Sequence, residues 1–287
     1  LKSVVNYLTF LWSPGHQTMY KNVQKLLPGE LLEIETKTLR VEKIIYKNKA
    51  IFNGEYLDLS EKEWVEKIDD QLNQSIEKQL LSDVPIGFFL SGGLDSSLIV
   101  AIAKSQKPNN QLNCFTIDQY KESKSDGFTD DLPYAKKVAK YCDISLNIID
   151  SRSNWIDSFD KMIWNLDEPQ ADLAPINLMA ISHFAKNLGI KVLIGGTGGD
   201  DIFSGYRRHQ AMVFNSHLKK IPDSFLKIFS FIIQNIPFSN VNIKRLKKLS
   251  RDWGEDNLTQ FMGYFNWLPS NHFIYDLFSK NAKKEVL

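Results

Sequence analysis

Little in this sequence points toward metal clusters, disulfides or a membrane span. Only two cysteines, Cys114 and Cys142, stand in 287 residues, and no C-x-x-C spacing joins them. Neither a disulfide framework nor a zinc site is expected. So sparing a use of cysteine suits a reducing compartment, and a cytoplasmic location is the expectation. Charge of one sign is not in excess: 35 Lys and Arg against 34 Asp and Glu leave a formal net charge of +1. That balance gives no global reason to expect nucleic acid or an acidic membrane surface as a partner. No apolar run reaches the roughly 20 residues of a transmembrane helix, and no signal-peptide pattern opens the chain. The longest apolar candidate, 225–236, is interrupted by Lys227, Ser230, Gln234 and Asn235 and reads as a buried or amphipathic helix. There is no internal repeat and no low-complexity tract. The first residue is Leu1 rather than Met, so a piece of a longer protein, cut at both ends, is expected.

What is present is the composition of an ordinary soluble globular protein, 43% hydrophobic and 24% charged. The length suffices for one large domain or two smaller ones. Residues 84–104 organise the rest. Ile86 to Leu90 is an unbroken apolar run of strand length, as in a strand buried on both faces of a parallel sheet. The chain then turns through Ser91-Gly92-Gly93 and resumes as a helical stripe of Leu94, Leu98, Ile99 and Ile102. A helix N-terminus presents unpaired backbone N–H groups and the positive end of its dipole, which together favour an anion. Gly92 and Gly93 permit close backbone approach, and Ser91, Ser96 and Ser97 add hydroxyl donors. The Lys-Ser/Thr pair of the Walker loop is missing. A lysine-free loop of amides and hydroxyls suits a pyrophosphate held as product or leaving group.

Around this stretch the pattern is regular. Residues 1–48 read as β-structure, with a hairpin in which Leu32 and Ile34 alternate with Glu33 and Glu35, and Leu39 and Val41 with Arg40 and Glu42. Two strands alone are marginal in water, so a larger sheet or a packing partner is expected. Residues 48–60 serve as a linker, and Ser60 with Glu63 forms a capping box for a helix running toward Leu81. Strands at 112–118, 146–150 and 191–194 then alternate with helices at 131–141, 156–166 and 175–188, the last stopped by Gly189. Such alternation predicts an α/β fold with a doubly wound parallel sheet, whose ligands bind beyond the carboxyl ends of the strands. Beyond Ser204 the chain reads as wholly helical. Its most basic patch, Lys244-Arg245-Leu246-Lys247-Lys248 with Arg251, is the solvated side of an amphipathic helix.

Strand 191–194 empties into a second glycine loop, Gly195-Gly196-Thr197-Gly198-Gly199-Asp200-Asp201. Asp95 beside a polyphosphate is an electrostatic problem. A carboxylate about 4 Å from a phosphate oxygen is repelled by roughly 4 kcal/mol per charge pair at an effective dielectric near 20. A hard divalent cation between them reverses the sign, and Mg²⁺ is the usual choice. Asp95 and Asp200 are therefore the expected metal ligands.

Ser91-Gly92-Gly93-Leu94-Asp95-Ser96-Ser97 resembles the signature of the PP-loop ATP pyrophosphatases. With the second loop included, the chain resembles glutamine-dependent asparagine synthetase. The likeness extends to Asp130-Asp131-Leu132-Pro133-Tyr134-Ala135, to Leu166-Asp167-Glu168-Pro169 with Asp172, and to Gly195 through Tyr206. Upstream, Tyr7-Leu8-Thr9 and Leu26-Leu27-Pro28-Gly29 look like the closing strands of that family's glutaminase domain. The resemblance covers most of residues 1–210. It implies a β remnant of a glutaminase domain at 1–48 and an ATP-dependent synthetase domain at 58–287, the latter incomplete at its C-terminus. It implies that ATP adenylates aspartate or a related carboxylate with release of pyrophosphate, before attack by ammonia from a glutaminase domain. Ser91, Gly92, Gly93, Leu94, Asp95, Ser96 and Ser97 would then cradle pyrophosphate. Phe89, Leu90, Ile117, Gly195 and Gly196 would line the adenine and ribose pocket, and Asp200 would join Asp95 at Mg²⁺.

The chain departs from the family pattern in three places. Thr197 stands where the family carries Glu or Asp, and a hydroxyl cannot serve as a carboxylate base near neutral pH. The N-terminal cysteine nucleophile of the glutaminase is absent, and Cys114 and Cys142 read as core thiols. A later family segment, rich in Arg, Pro and Asp and followed by a lysine, finds no match. Asp95, Asp200 and Thr197 are the positions where catalysis is expected. Two other readings compete: a PP-loop tRNA-modifying enzyme, which would add a basic RNA face or cysteine pairs, and a truncated ATP-binding fragment without turnover.

Overall fold

The computed structural model describes residues 1–45, 57–118, 131–150, 155–170, 172, 174–218, 220–237, 240–266 and 271–286. The chain divides into two compact units. One comprises Leu1–Trp64, Ile163–Ala171 and Asn266–Leu287; the other comprises Val65–Met162 and Asp172–Phe265.

The first unit opens with helix α1 (Lys2–Phe10), which corrects the expectation of β-structure from residue 1 onward. No glycine or proline interrupts the chain before Pro14, and Val4, Leu8 and Leu11 recur at helical spacing. Thr9 turns its β-branched side chain to use by donating its Oγ1 hydroxyl to the Val5 carbonyl at 2.8 Å. Leu11, at φ +67°, then closes the helix with its N–H on the Tyr7 carbonyl. The hairpin follows as expected: β1 (Glu30–Ile34) pairs antiparallel with β2 (Val41–Ile45), placing Leu32 opposite Lys43 and Ile34 opposite Val41. Leu39, read as the start of the second strand, instead sits in the turn at φ +56° and donates its N–H to the Glu35 carbonyl. Most of the expected linker, residues 48–56 of 48–60, lies outside the described residues.

Helix α2 (Glu61–Gln79) begins on the expected capping box: the Ser60 N–H donates to Glu63 Oε2 at 2.8 Å, and the Glu63 N–H returns to Ser60 Oγ at 3.4 Å. The second unit then alternates strand and helix: β3 (Ile86–Phe89), α3 (Leu94–Gln106), β4 (Asn113–Asp118), α4 (Leu132–Tyr141), β5 (Ser145–Asp150), α5 (Trp155–Leu166), α6 (Ala174–Asn187) and β6 (Val192–Ile194). The sheet order is β5-β4-β3-β6, and every pairing is parallel. The side-chain period of two sorts the strands between two cores. Phe88, Cys114 and Ile194 share one face with Val100 and Ala103 of α3 and Ala135 and Ala139 of α4. Phe115 shares the other with Ile181 and Ala185 of α6, flanked by Phe89, Ile117 and Leu193. Helices thus cover both faces, the doubly wound α/β arrangement that the alternation predicts. Gly87 is small for a packing reason: a Cβ there would lie 2.7 Å from the Phe115 ring and 3.0 Å from Leu193.

After β6 come the one-turn helix α7 (Gly199–Ile202), α8 (Arg207–Leu218), α9 (Asp223–Gln234), α10 (Val241–Ser250) and α11 (Asn257–Phe265). Asn215, buried on α8, ties this region together. It accepts from Trp253 Nε1 at 3.0 Å and donates to Gln260 Oε1 at 3.1 Å and to the Tyr264 hydroxyl. The short helices α12 (Asn271–Asp276) and α13 (Lys280–Val286) belong to the first unit, where α12 packs on α1.

Candidate active site

Two loops leave the carboxyl ends of neighbouring strands and meet. The first follows β3. The Leu90 N–H donates to the Phe115 carbonyl at 2.9 Å, holding the strand in register until its last residue. The chain turns at Gly92, whose φ of +92° suits glycine, and a Cβ there would lie 2.6 Å from both Ala135 N and the Asp131 carbonyl oxygen. The first turn of α4 therefore rests directly on the loop. Asp131 stands at its N-cap; Asp130 lies outside the described residues. Gly93 is the N-cap of α3, and no side chain caps that helix, so its first-turn amides face the loop. The serines knit the turn from within. Ser91 Oγ lies 3.0 Å from Ser96 Oγ and accepts the Gly93 N–H at 3.3 Å, while Ser97 Oγ donates to the Gly93 carbonyl at 2.7 Å.

The second loop follows β6. Gly198, at φ +98°, caps α7. The neighbouring glycines bring this backbone onto the first turn of α3. A Cβ on Gly196 would sit 2.9 Å from Asp95 Cβ and from Ser96 N, and one on Gly199 would sit 2.5 Å from Asp95 Cγ. The Asp95 carboxylate thus rests against the residue immediately before Asp200. The Asp200 carboxylate in turn occupies the space a side chain on Gly205 would fill. Asp201 anchors the one-turn helix through Arg208, whose Nη2 donates to Asp201 Oδ1 at 2.9 Å and whose guanidinium lies 3.8 Å from the centre of the Tyr206 ring.

A cleft of about 590 Å³ opens between the two loops, within the range of small-molecule sites. Of the residues anticipated from sequence, Phe89, Ser91, Gly93, Leu94, Asp95, Ser96, Gly195, Gly196, Thr197 and Asp200 line it. Four others stand apart from its wall. Leu90 is fully buried in the core beneath the loop, and Ile117 packs into the Phe115 core instead of facing the cleft. Gly92 supports the turn under α4, and the Ser97 hydroxyl is spent on the Gly93 carbonyl. Leu178 of α6, Gly199, Phe203 and Gly205 also line the cleft and were not anticipated as site residues. Nothing in the spacing of Leu178 separates it from core leucines. The Asp201–Arg208 pair likewise follows no local periodicity.

Among the described residues no group of three or more His, Cys, Asp and Glu side chains could by itself hold a metal. Asp95 and Asp200 both line the cleft, and two carboxylates are a donor set that fits Mg²⁺, which keeps several waters and completes its shell with phosphate oxygens. The cysteines are unsuited to chemistry. Cys114 is buried in the core, where burial pushes its thiol up to about 12, and burial raises Cys142 as well. No helix among the described residues is long and apolar enough to cross a membrane.

The Asp-Glu-Pro segment lies in the first unit. Glu168 accepts the Met19 N–H and Lys25 Nζ, both at 3.1 Å, so its carboxylate fastens residues 19–25 to the end of α5. Asp172 accepts the Ala174 N–H at 2.9 Å and starts α6.

Comparison with known proteins adds the following. A family model described as asparagine synthase matches residues 67–278. Asparagine synthetase [glutamine-hydrolyzing] 1 of Bacillus subtilis is 27% identical over 237 residues, which are 82% of this chain and 36% of that protein. A putative asparagine synthetase [glutamine-hydrolyzing] 2 of Methanocaldococcus jannaschii is 27% identical over 223 residues, 77% of this chain and 41% of its own. The chain thus spans between a third and a half of the length of these relatives. Among solved structures, an NH3-dependent NAD synthetase from Campylobacter jejuni, in complex with the nitrate ion, aligns over 49% of this chain and 60% of its own. Its TM-score is 0.34 and its sequence identity 21%.

Proposed function

The chain belongs to the asparagine synthase family, and from that membership we propose that it carries the ATP-dependent, amide-forming half of such a ligase. The observation that carries this reading is the meeting of the two glycine loops over one cleft, with Asp95 against Gly199 and with Asp95 and Asp200 both lining the cleft.

In the proposed reaction the pyrophosphate of ATP lies at the N-terminus of α3, where amides and the Ser91 hydroxyl receive it. A carboxylate oxygen of the acid substrate, aspartate or a relative, attacks the α-phosphorus. The bond from that phosphorus to the β-bridging oxygen breaks, and pyrophosphate departs with the electron pair. Ammonia then attacks the acyl carbon of the mixed anhydride, AMP leaves, and the nitrogen loses a proton. The anhydride is needed because a free carboxylate resists attack by an amine. Asp95 and Asp200 would hold Mg²⁺, which supplies charge neutralisation on the β- and γ-phosphates. Thr197 orients by hydrogen bonding and takes no proton.

Residues 1–48 are assigned in this proposal to the end of a glutaminase domain, which supplies the ammonia, and 58–287 to the synthetase domain. The site of action is the cytoplasm, where ATP and reduced thiols coexist. The experiment is ATP–pyrophosphate exchange measured acid by acid, first with aspartate and then with other carboxylates, such as sugar acids. Exchange that depends on one acid supports the reading. Its absence with every acid, in a protein that binds ATP, would leave a nucleotide-binding fragment in its place.

A further inference from the structure

Asp200 stands on the least supported element of the site. Helix α7 is a single turn, none of its residues is buried, and no side chain caps its N-terminus. One turn fixes several backbone dihedrals for very few hydrogen bonds, so it does not hold itself. Within it the Ile202 N–H donates to the Gly198 carbonyl at 3.0 Å and the Phe203 N–H to the Gly199 carbonyl at 2.8 Å. A Schellman turn closes it: the Gly205 N–H donates to the Asp200 carbonyl at 2.9 Å, and Ser204 precedes Gly205 at φ +58°. A serine in that conformation costs more than the glycine that usually takes it. Asp200 and Asp201 are adjacent on this turn, and the sequence alone does not say which carboxylate faces the cleft.

Arg208, in the first turn of α8, takes hold of one of them. Its Nη2 donates to Asp201 Oδ1 at 2.9 Å. The guanidinium is itself fixed: it lies 3.8 Å from the centre of the Tyr206 ring and 5.1 Å from that of Phe265, and its Nε is shut off from solvent. An exposed ion pair ordinarily contributes little, because two long side chains must be ordered to make it. Here the longer one is already ordered by aromatic faces, so that cost is small. The links close a ring. Arg208 holds Asp201, whose neighbour Asp200 rests on Gly205 through both its carbonyl and its carboxylate, and Tyr206 follows Gly205 and lies under Arg208.

We infer, on the proposal that Asp95 and Asp200 hold a metal, that Arg208 is a positioning residue for that metal. By engaging Asp201 it fixes the one-turn helix with Asp200, and not Asp201, toward the cleft. Neither Arg208 nor Asp201 is among the residues that line the cleft, so the pair acts through Asp200 and not on the nucleotide. Partners that orient a ligating group without ligating typically carry about 10- to 100-fold in metal affinity.

Two readouts on the 287-residue chain test this: amide hydrogen exchange without metal, and calorimetric titration with ATP in the presence and absence of Mg²⁺. Arg208→Met, Asp201→Asn and the double variant are compared. The Asp201 side chain is 61% exposed, so Asp201→Asn leaves the fold intact, which an unchanged melting temperature checks. The amides of Ile202, Phe203 and Gly205 are expected to exchange about 5- to 10-fold faster in all three variants, while those of α3 keep their wild-type rates. The Mg²⁺-dependent gain in ATP affinity is expected to fall about 10-fold in all three, the low end for an orienting partner. The shared direction is the signature of positioning. Losing a cation alone would strengthen Mg²⁺ binding and losing an anion alone would weaken it, so a pure charge effect shifts the two single variants oppositely. The double variant is expected to add nothing to either single, since both act on one contact. Opposite shifts in the single variants overturn the inference, as do unchanged exchange at 202–205 or variants that keep the wild-type Mg²⁺ gain. A wild type that binds ATP with no gain from Mg²⁺ overturns the metal site itself, and this role of Arg208 with it.

Discussion

The Asp95 carboxylate lies in contact with the backbone of Gly199, so closely that a methyl group on Gly199 would stand 2.5 Å from Asp95 Cγ. The two residues come from different loops, 104 positions apart. Their contact joins the N-terminus of α3 to the residue that precedes the second carboxylate. Every element of the proposed site depends on that approach.

Gly199→Ala is the sharpest test of the contact. Gly199 begins α7 at ordinary negative φ, so alanine favours the local helix by up to about 1 kcal/mol. The same methyl must displace the Asp95 carboxylate. The expected outcome is a melting temperature unchanged or raised, together with a loss of ATP–pyrophosphate exchange of about 100-fold or more, as a catalytic group displaced by an ångström costs. A variant with full exchange would show that Asp95 can move without consequence.

Asp95→Asn and Asp200→Asn remove the proposed metal ligands singly. Each is expected to lower Mg²⁺-dependent exchange by roughly 100- to 1,000-fold, the scale of losing a group that stabilises developing charge. Binding of metal-free ATP is expected to tighten, because a repulsive carboxylate has gone. Weaker binding of metal-free nucleotide in both variants would contradict the electrostatic account.

Thr197 lines the cleft between Gly196 and Gly198. Thr197→Glu places a carboxylate where the family pattern has one. Turnover or the choice of acid is expected to change, read from kcat/KM across a panel of carboxylates. Identical kinetics with every acid would remove Thr197 from the account.

The strands and the first glycine loop were legible because their signals are local. Ile86 to Phe89 is an uninterrupted apolar run, Ser60 and Glu63 spell a capping box, and Gly189 stops α6 at φ +77°. Helix α1 was misread because Val4, Val5 and Thr9 favour strands, while the contacts that settle the matter, α1 against α12, come from more than 250 residues away. Leu90 and Ile117 were assigned to the nucleotide pocket, but facing is set by the pleat of the sheet, and the pleat sends both into cores.

Cys114 gives a pH prediction. Burial raises its folded-state pKa from 9.0 to about 12. Above pH 9 the unfolded chain releases this proton while the folded chain keeps it, so the stabilising contribution is complete below pH 9 and is lost as pH rises toward 12. Tyr264, pushed up to about 12 mainly by burial, acts in the same direction above pH 10. Urea midpoints are expected to fall steadily between pH 9 and 12, and Cys114→Ala is expected to flatten the early part of that fall. An equally steep fall in the variant would assign the effect elsewhere.

The central claim is that the cleft between the two glycine loops takes ATP with a metal held by Asp95 and Asp200. Calorimetric titration of the protein with ATP, with and without Mg²⁺, tests it most directly. The account predicts one nucleotide per chain, bound at least about 10-fold tighter with Mg²⁺, which is roughly 1.4 kcal/mol, and with that gain lost in Asp95→Asn. No heat of binding in either condition, or binding indifferent to Mg²⁺ and to Asp95, would contradict it.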